Sequence, residues 1–268
     1  MPELPEVETI RRSLLGNIGA HVLKIEMIRA DIIRKQDYLP DALHGQSLTE
    51  IKRRGKYLIL MMEKDLSLVV HLGMSGRFYM QGEDVPILAP HVHMIIYLDN
   101  KQKVLYQDPR RFGGIWFSQD PESLFTHMGQ EPLEKGFTSS YLSDICCNRK
   151  AAIKTLLLNQ NLIAGIGNIY ADEALFAAQI RPNRAAGSLS EREIKRLHRA
   201  INKVLQSSIE NCGTTFRDFR DGYNQSGQFQ SYLNVYGKTD TPCKTCGFII
   251  KNDRIGGRSS HYCEKCQQ

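Results

Sequence analysis

Residues 57–71 read YLILMMEKDLSLVVH. Two apolar runs, Tyr57–Met62 and 66–71, flank the turn-forming pair Lys64-Asp65, which is the pattern of a β-hairpin. Working outward, similar short runs occur at 22–28, 93–98, 103–106 and 114–117, separated by Gly82-Glu83-Asp84 and Asp99-Asn100. So many short strands in the first part of the chain predict a β-sandwich or barrel. Residues 6–15 read as a short helix before them, with Val7, Ile10 and Leu14 on one side and Arg11 and Arg12 on the other.

The texture changes near residue 130. Gln130 to Ser140, with Pro132 and Gly136, reads as a linker. Helical periodicity then takes over: Ile194, Leu197, Ile201, Val204, Leu205 and Ile209 form the apolar stripe of an amphipathic helix. Ser190 followed by Glu193 fits a capping box at its start. A second helix, 169–178, follows the turn Ala164-Gly165-Ile166-Gly167-Asn168. The expected class is α+β, with a β-rich domain over 1–130, a linker over 131–140, a helical domain over 141–234 and a cysteine-bearing tail over 235–268.

The 268 residues carry a net charge of +6 and are 41% hydrophobic, enough for a substantial core. The basic bias is compatible with a polyanionic partner. No run of apolar residues is long enough for a membrane span, and MPELPEVETI lacks the basic and apolar regions of a secretory signal. The expectation is a cytoplasmic chain with no membrane partner, where disulfides are rare. Seven cysteines therefore need another account. Cys243-Lys-Thr-Cys246 and Cys263-Glu-Lys-Cys266 form two knuckles with sixteen residues between them. Four thiolates at that spacing make a closed tetrahedral Zn2+ site, structural because no position is left for water. Cys146, Cys147 and Cys212 are expected to be buried small hydrophobes. Between the knuckles, Ile255-Gly-Gly-Arg258 places an arginine at a loop tip.

Taken in order, these pieces resemble the formamidopyrimidine-DNA glycosylase family. The resemblance rests on MPELPEVET at 1–9, RGKYL at 54–58, HLGMSG at 71–76, DPRRFG at 108–113, GIGNIY at 165–170, VYGK at 235–238 and the terminal finger, and so covers essentially the whole chain. It implies an N-terminal β-sandwich domain with an N-terminal helix, a helix–two-turn–helix domain with a zinc finger, and damaged double-stranded DNA as partner, bound by a monomer. It further implies removal of oxidised purines such as 8-oxoguanine and formamidopyrimidines, followed by strand cleavage through an imine on the N-terminal proline. Pro2, freed of Met1, is a secondary amine with a pKa of about 8, so part of it is unprotonated near neutrality. The resemblance makes Glu3 the proton donor to the opening sugar, Lys56 the donor for β-elimination and Arg258 the donor for δ-elimination. Glu6, one turn after Glu3, shares its helix face and is a second catalytic candidate, ranked after Glu3; as a first-turn carboxylate it also suits the helix dipole. Asn168, at a helix start where free N–H groups favour anions, matches a phosphate-binding position, and His91 and Lys154 match further DNA contacts. Met74, Phe112 and Arg110 match residues that fill the gap left by a flipped nucleotide and reach its partner base. His93 is expected to be a satisfied strand residue. The polar stretch 217–228, RDFRDGYNQSGQ, resembles a lesion-capping loop and is expected to be mobile; with Leu4 it favours purine over pyrimidine lesions. Thr155 stands where many relatives have proline. The competing readings are a glycosylase for oxidised pyrimidines and a non-catalytic lesion-binding protein.

Overall fold

A computed structural model describes residues 1–268 as two compact units, Met1–His127 with Asn211–Gln230, and Met128–Glu210 with Ser231–Gln268. In the first unit, helix α1 (Leu4–Leu14) precedes nine strands: β1 (Val22–Met27), β2 (Ile33–Gln36), β3 (Leu48–Arg54), β4 (Tyr57–Met62), β5 (Ser67–His71), β6 (Arg77–Gly82), β7 (Val92–Leu98), β8 (Gln102–Gln107) and β9 (Gly114–Ser118). They form a sandwich of a four-stranded sheet ordered β1-β7-β8-β6 and a five-stranded sheet ordered β2-β9-β5-β4-β3. All pairs are antiparallel except β2 with β9. The core joins Leu58, Leu68, Val70 and Phe117 of one sheet to Phe78, Met94, Ile96 and Tyr106 of the other, with Val7, Ile10 and Leu14 of α1.

The hairpin quoted above is β4–β5, closed by Lys64 and Asp65 at φ 54° and 57°. Three strands escaped the sequence reading. In β3 the buried Leu48 and Ile51 lie three residues apart because a register shift falls between Leu48 and Glu50, which hides the two-residue alternation. Lys52 to Arg54 are therefore strand, and only Gly55-Lys56 form the turn of the basic run. β2 is short and largely exposed, and β6 has six residues of which only the adjacent Phe78 and Tyr79 are buried, with no alternation to read.

The second unit holds α2 (Ser139–Cys146), α3 (Ile153–Leu157), α4 (Asn168–Ala177), α5 (Glu191–Glu210) and the hairpin β10 (Lys251–Ile255)–β11 (Arg258–Tyr262). Glu193 accepts from the Ser190 N–H at 2.8 Å, closing the expected capping box of α5. The domain boundaries need correcting. Residues 131–140 are not a free linker: Glu131, Pro132 and Phe137 are buried, the Phe137 carbonyl hydrogen-bonds His198 Nε2 at 2.9 Å, and Ser139 already opens α2. Residues 211–230 belong to the sandwich unit, not to the helical domain. Phe219 enters the sandwich core, Met80 donates to the Gly222 carbonyl at 2.7 Å, and Arg77 donates to the Asp218 carbonyl. Within this stretch Asp221 accepts from the Tyr223 and Gln225 N–H groups, and residues 216–218 and 223–226 are exposed. Cys146 is buried as expected, but Cys147 and Cys212 are exposed; Cys147 caps α2 and Cys212 takes a left-handed turn conformation, φ 56°. No helix is long and apolar enough to cross a membrane.

Candidate active site

The residues expected to react at the N-terminus lie at the start of α1. Pro2 is buried, and Glu3 and Glu6 are 3% and 1% exposed. Glu3 is the N-cap of the helix, and its own N–H donates to Glu6 Oε2 at 2.9 Å while its carboxylate faces the Glu6 N–H. The other Glu6 oxygen accepts the Thr214 N–H at 2.8 Å. A carboxylate holding two backbone donors from separate segments fixes geometry. Glu6 therefore holds the Glu3 backbone and the 211–214 segment in place.

Lys56 is 7% exposed at the β3–β4 turn. Gly55, at φ 54°, makes that turn possible. Nearby His71 packs against Tyr57, with ring centroids 4.6 Å apart and planes tilted by 36°, and accepts the Gly73 N–H on Nδ1 at 3.2 Å. Burial, and then the Lys56 charge, push the His71 ring down to about 4. The imidazole next to Lys56 is thus neutral at physiological pH.

Two neighbouring loops carry the expected insertion residues. Met74 is 41% and Phe112 55% exposed, and the Arg110 guanidinium lies 4.6 Å from the Phe112 ring centroid. Large apolar side chains held out in glycine-flanked turns are unsuited to a core and suited to insertion. The fully buried Asp108, which the sequence reading passed over, binds both loops: it accepts Ser75 Oγ at 2.7 Å, the Gly113 N–H at 2.9 Å and the Arg110 N–H at 3.3 Å. Arg34 of β2, also passed over, donates to the carbonyls of Arg111 and Gly113 from outside. A Cβ on Gly73 would lie 2.4 Å from the Gly113 nitrogen, so the loops touch backbone to backbone. His91 is exposed at φ 62°, and its carbonyl accepts the Asp108 N–H. His93 hydrogen-bonds the Asp108 carbonyl through Nε2 at 2.9 Å, while its buried Nδ1 has no partner, so it is only half satisfied.

In the second unit, Asn168 opens α4 and its Nδ2 donates to the Ser259 carbonyl at 2.9 Å. Lys154 is fully buried, with Nζ 2.6 Å from Asp172 Oδ1 and 2.6 Å from the Ser259 carbonyl. That burial overturns the expectation of a direct DNA contact. Arg258 is exposed at the tip of β10–β11, after Gly256 and Gly257 at φ 55° and 78°. Below it, the sulfurs of Cys243, Cys246, Cys263 and Cys266 lie within 4.8 Å of one another, with 243–266 at 3.9 Å and 246–263 at 3.5 Å. Tetrahedral zinc with ~2.3 Å bonds needs sulfurs about 3.8 Å apart, so the four thiols fit one structural Zn2+.

A sandwich with a buried Pro2–Glu3 start and two exposed glycine-flanked loops, in one chain with a helical unit and a four-cysteine finger, is the arrangement expected of a zinc-finger enzyme of the DNA base-excision class. Comparison with known proteins gives the particular family. Residues 1–115 match the formamidopyrimidine-DNA glycosylase N-terminal domain, 128–220 its H2TH domain, and 241–268 the zinc finger found in FPG and IleRS. The formamidopyrimidine-DNA glycosylase of Syntrophomonas wolfei is 56% identical over 268 residues, covering all of both chains, and that of Pelotomaculum thermopropionicum is 44% identical, covering 100% of this chain and 99% of the relative. A mutant Lactococcus lactis FPG in complex with Fapy-dG-containing DNA superposes with a TM-score of 0.91 at 35% identity over the full length of both chains. The MutM (Fpg) protein of Thermus thermophilus does so with a TM-score of 0.88 at 36% identity, covering 99% of this chain and 98% of that one. The chain belongs to the formamidopyrimidine-DNA glycosylase family. It is a DNA N-glycosylase with lyase activity at abasic sites, and it carries a structural zinc finger.

Proposed function

We propose that this enzyme excises oxidised purines from damaged duplex DNA, as a monomer in the bacterial cytoplasm, and that Pro2 is its nucleophile. The carrying observation is the buried Pro2–Glu3 pair at the start of α1, held by Glu6. With Met1 removed, the Pro2 amine attacks C1′ and displaces the base, while Glu3 protonates the departing ring oxygen, leaving an iminium. The iminium draws electrons from C2′: its proton is lost, and the C3′–O bond breaks with release of the 3′-side phosphate, with Lys56 as donor. Loss of the C4′ proton then breaks the C5′–O bond, and Arg258 meets the second phosphate. Met74 and Phe112 fill the vacated stack and Arg110 reaches the orphaned base. Asn168 and His91 bind flanking phosphate. The purine assignment is supported by the solved relatives in complex with Fapy-dG or carbocyclic 8-oxo-G DNA, although one was solved with an oxidised pyrimidine.

Borohydride trapping tests this reading. The enzyme should form a covalent adduct with an 8-oxoguanine:cytosine duplex, and peptide mass spectrometry should place it on the N-terminal residue. Pro2→Gly should trap far less. Adduct only on a dihydrouracil duplex would move the enzyme to pyrimidine lesions, and an adduct on any internal lysine would refute the Pro2 assignment.

A further inference from the structure

The finger hairpin has little support of its own. Four of the five residues of β10 are exposed, and so are Arg258 and Ser259 at the start of β11. Yet three residues on two helices grip the hairpin beside Arg258. The Ser259 carbonyl accepts both Lys154 Nζ at 2.6 Å and Asn168 Nδ2 at 2.9 Å. Lys154 is itself locked by the fully buried Asp172, whose Oδ2 accepts the His261 N–H at 2.9 Å further along the same strand. On the other side of the tip, exposed Thr155 stands so close that a Cβ on Gly256 would lie 2.6 Å from its Oγ1.

A buried ammonium is costly unless it is paired and hydrogen-bonded. Lys154 has both a carboxylate and a carbonyl, so its buried charge ties the Ser259 peptide to Asp172. That carbonyl lies in the Ser259–Ser260 peptide, one residue beyond Arg258 in β11. We propose that Lys154, with Thr155 beside it, is a positioning residue for Arg258: α3 sets the height and tilt of the hairpin tip and so governs the second elimination. The inference rests on the assignment of Arg258 to δ-elimination. It places Lys154 outside the DNA contact surface and ties the β/δ product ratio to a residue that touches no substrate.

The test uses the full-length, zinc-loaded chain and a labelled duplex with an abasic site, so that base excision is bypassed. A gel separates the β product, ending in an unsaturated aldehyde, from the β,δ product, ending in a phosphate. Misplacement of a reacting group by about 1 Å costs on the order of 100-fold, so Lys154→Met should lower the β,δ share at least about 10-fold. Borohydride trapping on the same duplex should change less than about two-fold, as expected for groups outside the imine chemistry. Thr155→Leu, a change at an exposed position that leaves the buried pair intact, should shift the ratio in the same direction. It keeps the test open if Lys154→Met loses zinc or fails to fold. Arg258→Gln is the reference. If it alters the ratio while neither α3 variant does, the positioning role is wrong. If Arg258→Gln leaves the ratio unchanged, the underlying assignment of Arg258 fails instead.

Discussion

His71 should make the sandwich unit acid-sensitive, and the size of the effect can be worked out. In the unfolded chain its ring titrates near 6.5, while in the folded unit burial and Lys56 hold it at about 4. Between those values the unfolded chain binds the extra proton and the folded one does not. Stability is therefore fully present above 6.5 and is lost as pH falls toward 4. At ~1.4 kcal/mol per pH unit, the gap sets a ceiling of about 3 kcal/mol, of which roughly 2–3 kcal/mol should be gone by about pH 4.5. The variant His71→Asn removes the titration and keeps an acceptor for the Gly73 N–H. Urea unfolding can be followed through the only tryptophan, Trp116, on β9 with its ring 5.6 Å from Tyr57. Other groups titrate in both proteins alike, so the informative quantity is native minus variant. That difference should fall by about 2 kcal/mol between about pH 7 and pH 4.5. A difference that stays flat across the window would show that the ring is not held neutral by its surroundings, and the account of the Lys56 neighbourhood would fail with it.

Gly73→Ala should destabilise the sandwich unit by about 2–4 kcal/mol and slow base excision more than it slows abasic-site cleavage, because its Cβ would drive into the 112–113 backbone at φ 59°. Gly16→Ala, with nothing within 4 Å of the added Cβ, should shift the same denaturation curve by less than about 0.5 kcal/mol. Stripping zinc with a strong chelator should release one metal per chain and abolish the β,δ product, since the finger carries Arg258. The Trp116 unfolding transition should keep its midpoint, and a shift in it would mean that the metal supports the sandwich as well.

Much of this architecture could be read from the sequence because it is written in local patterns. The β4–β5 hairpin announces itself by two apolar runs and a polar turn, α5 by its stripe and capping box, and the zinc site by cysteine spacing alone. Strand β3 was missed because a register shift breaks the alternation on which strand reading depends. The homing of 211–230 to the sandwich was missed because nothing local in RDFRDGYNQSGQ says that Phe219 will be buried or that the Gly222 carbonyl will accept from Met80. Lys154 was misread for the opposite reason. A lysine looks like a surface residue until its partner, Asp172, is found eighteen residues later in sequence and 2.6 Å away in space.

The positioning roles that sequence could not supply fall mostly to buried acids, and they share one job. Glu6 holds the N–H of Thr214, Asp108 those of Arg110 and Gly113, Asp172 that of His261, and Glu173 those of Asn234, Val235 and Tyr236. Each set of donors lies outside any helix or sheet ladder that would otherwise satisfy it, except the strand residue His261. An apolar side chain would fill the same space but leave those N–H groups unpaired, at about 1–3 kcal/mol each. An amide would turn one donor against another. A carboxylate alone offers two oxygens and only acceptors, and hydrogen bonds to a charged acceptor are roughly twice as strong as neutral ones. Apolar patterning therefore builds the sandwich and the helices, while buried carboxylates place the loops on them. The segments so placed bear Glu3, Arg110, Phe112 and Arg258. A chain with the same apolar pattern and amides at positions 6, 108, 172 and 173 should form both units and still present its reacting groups in the wrong places.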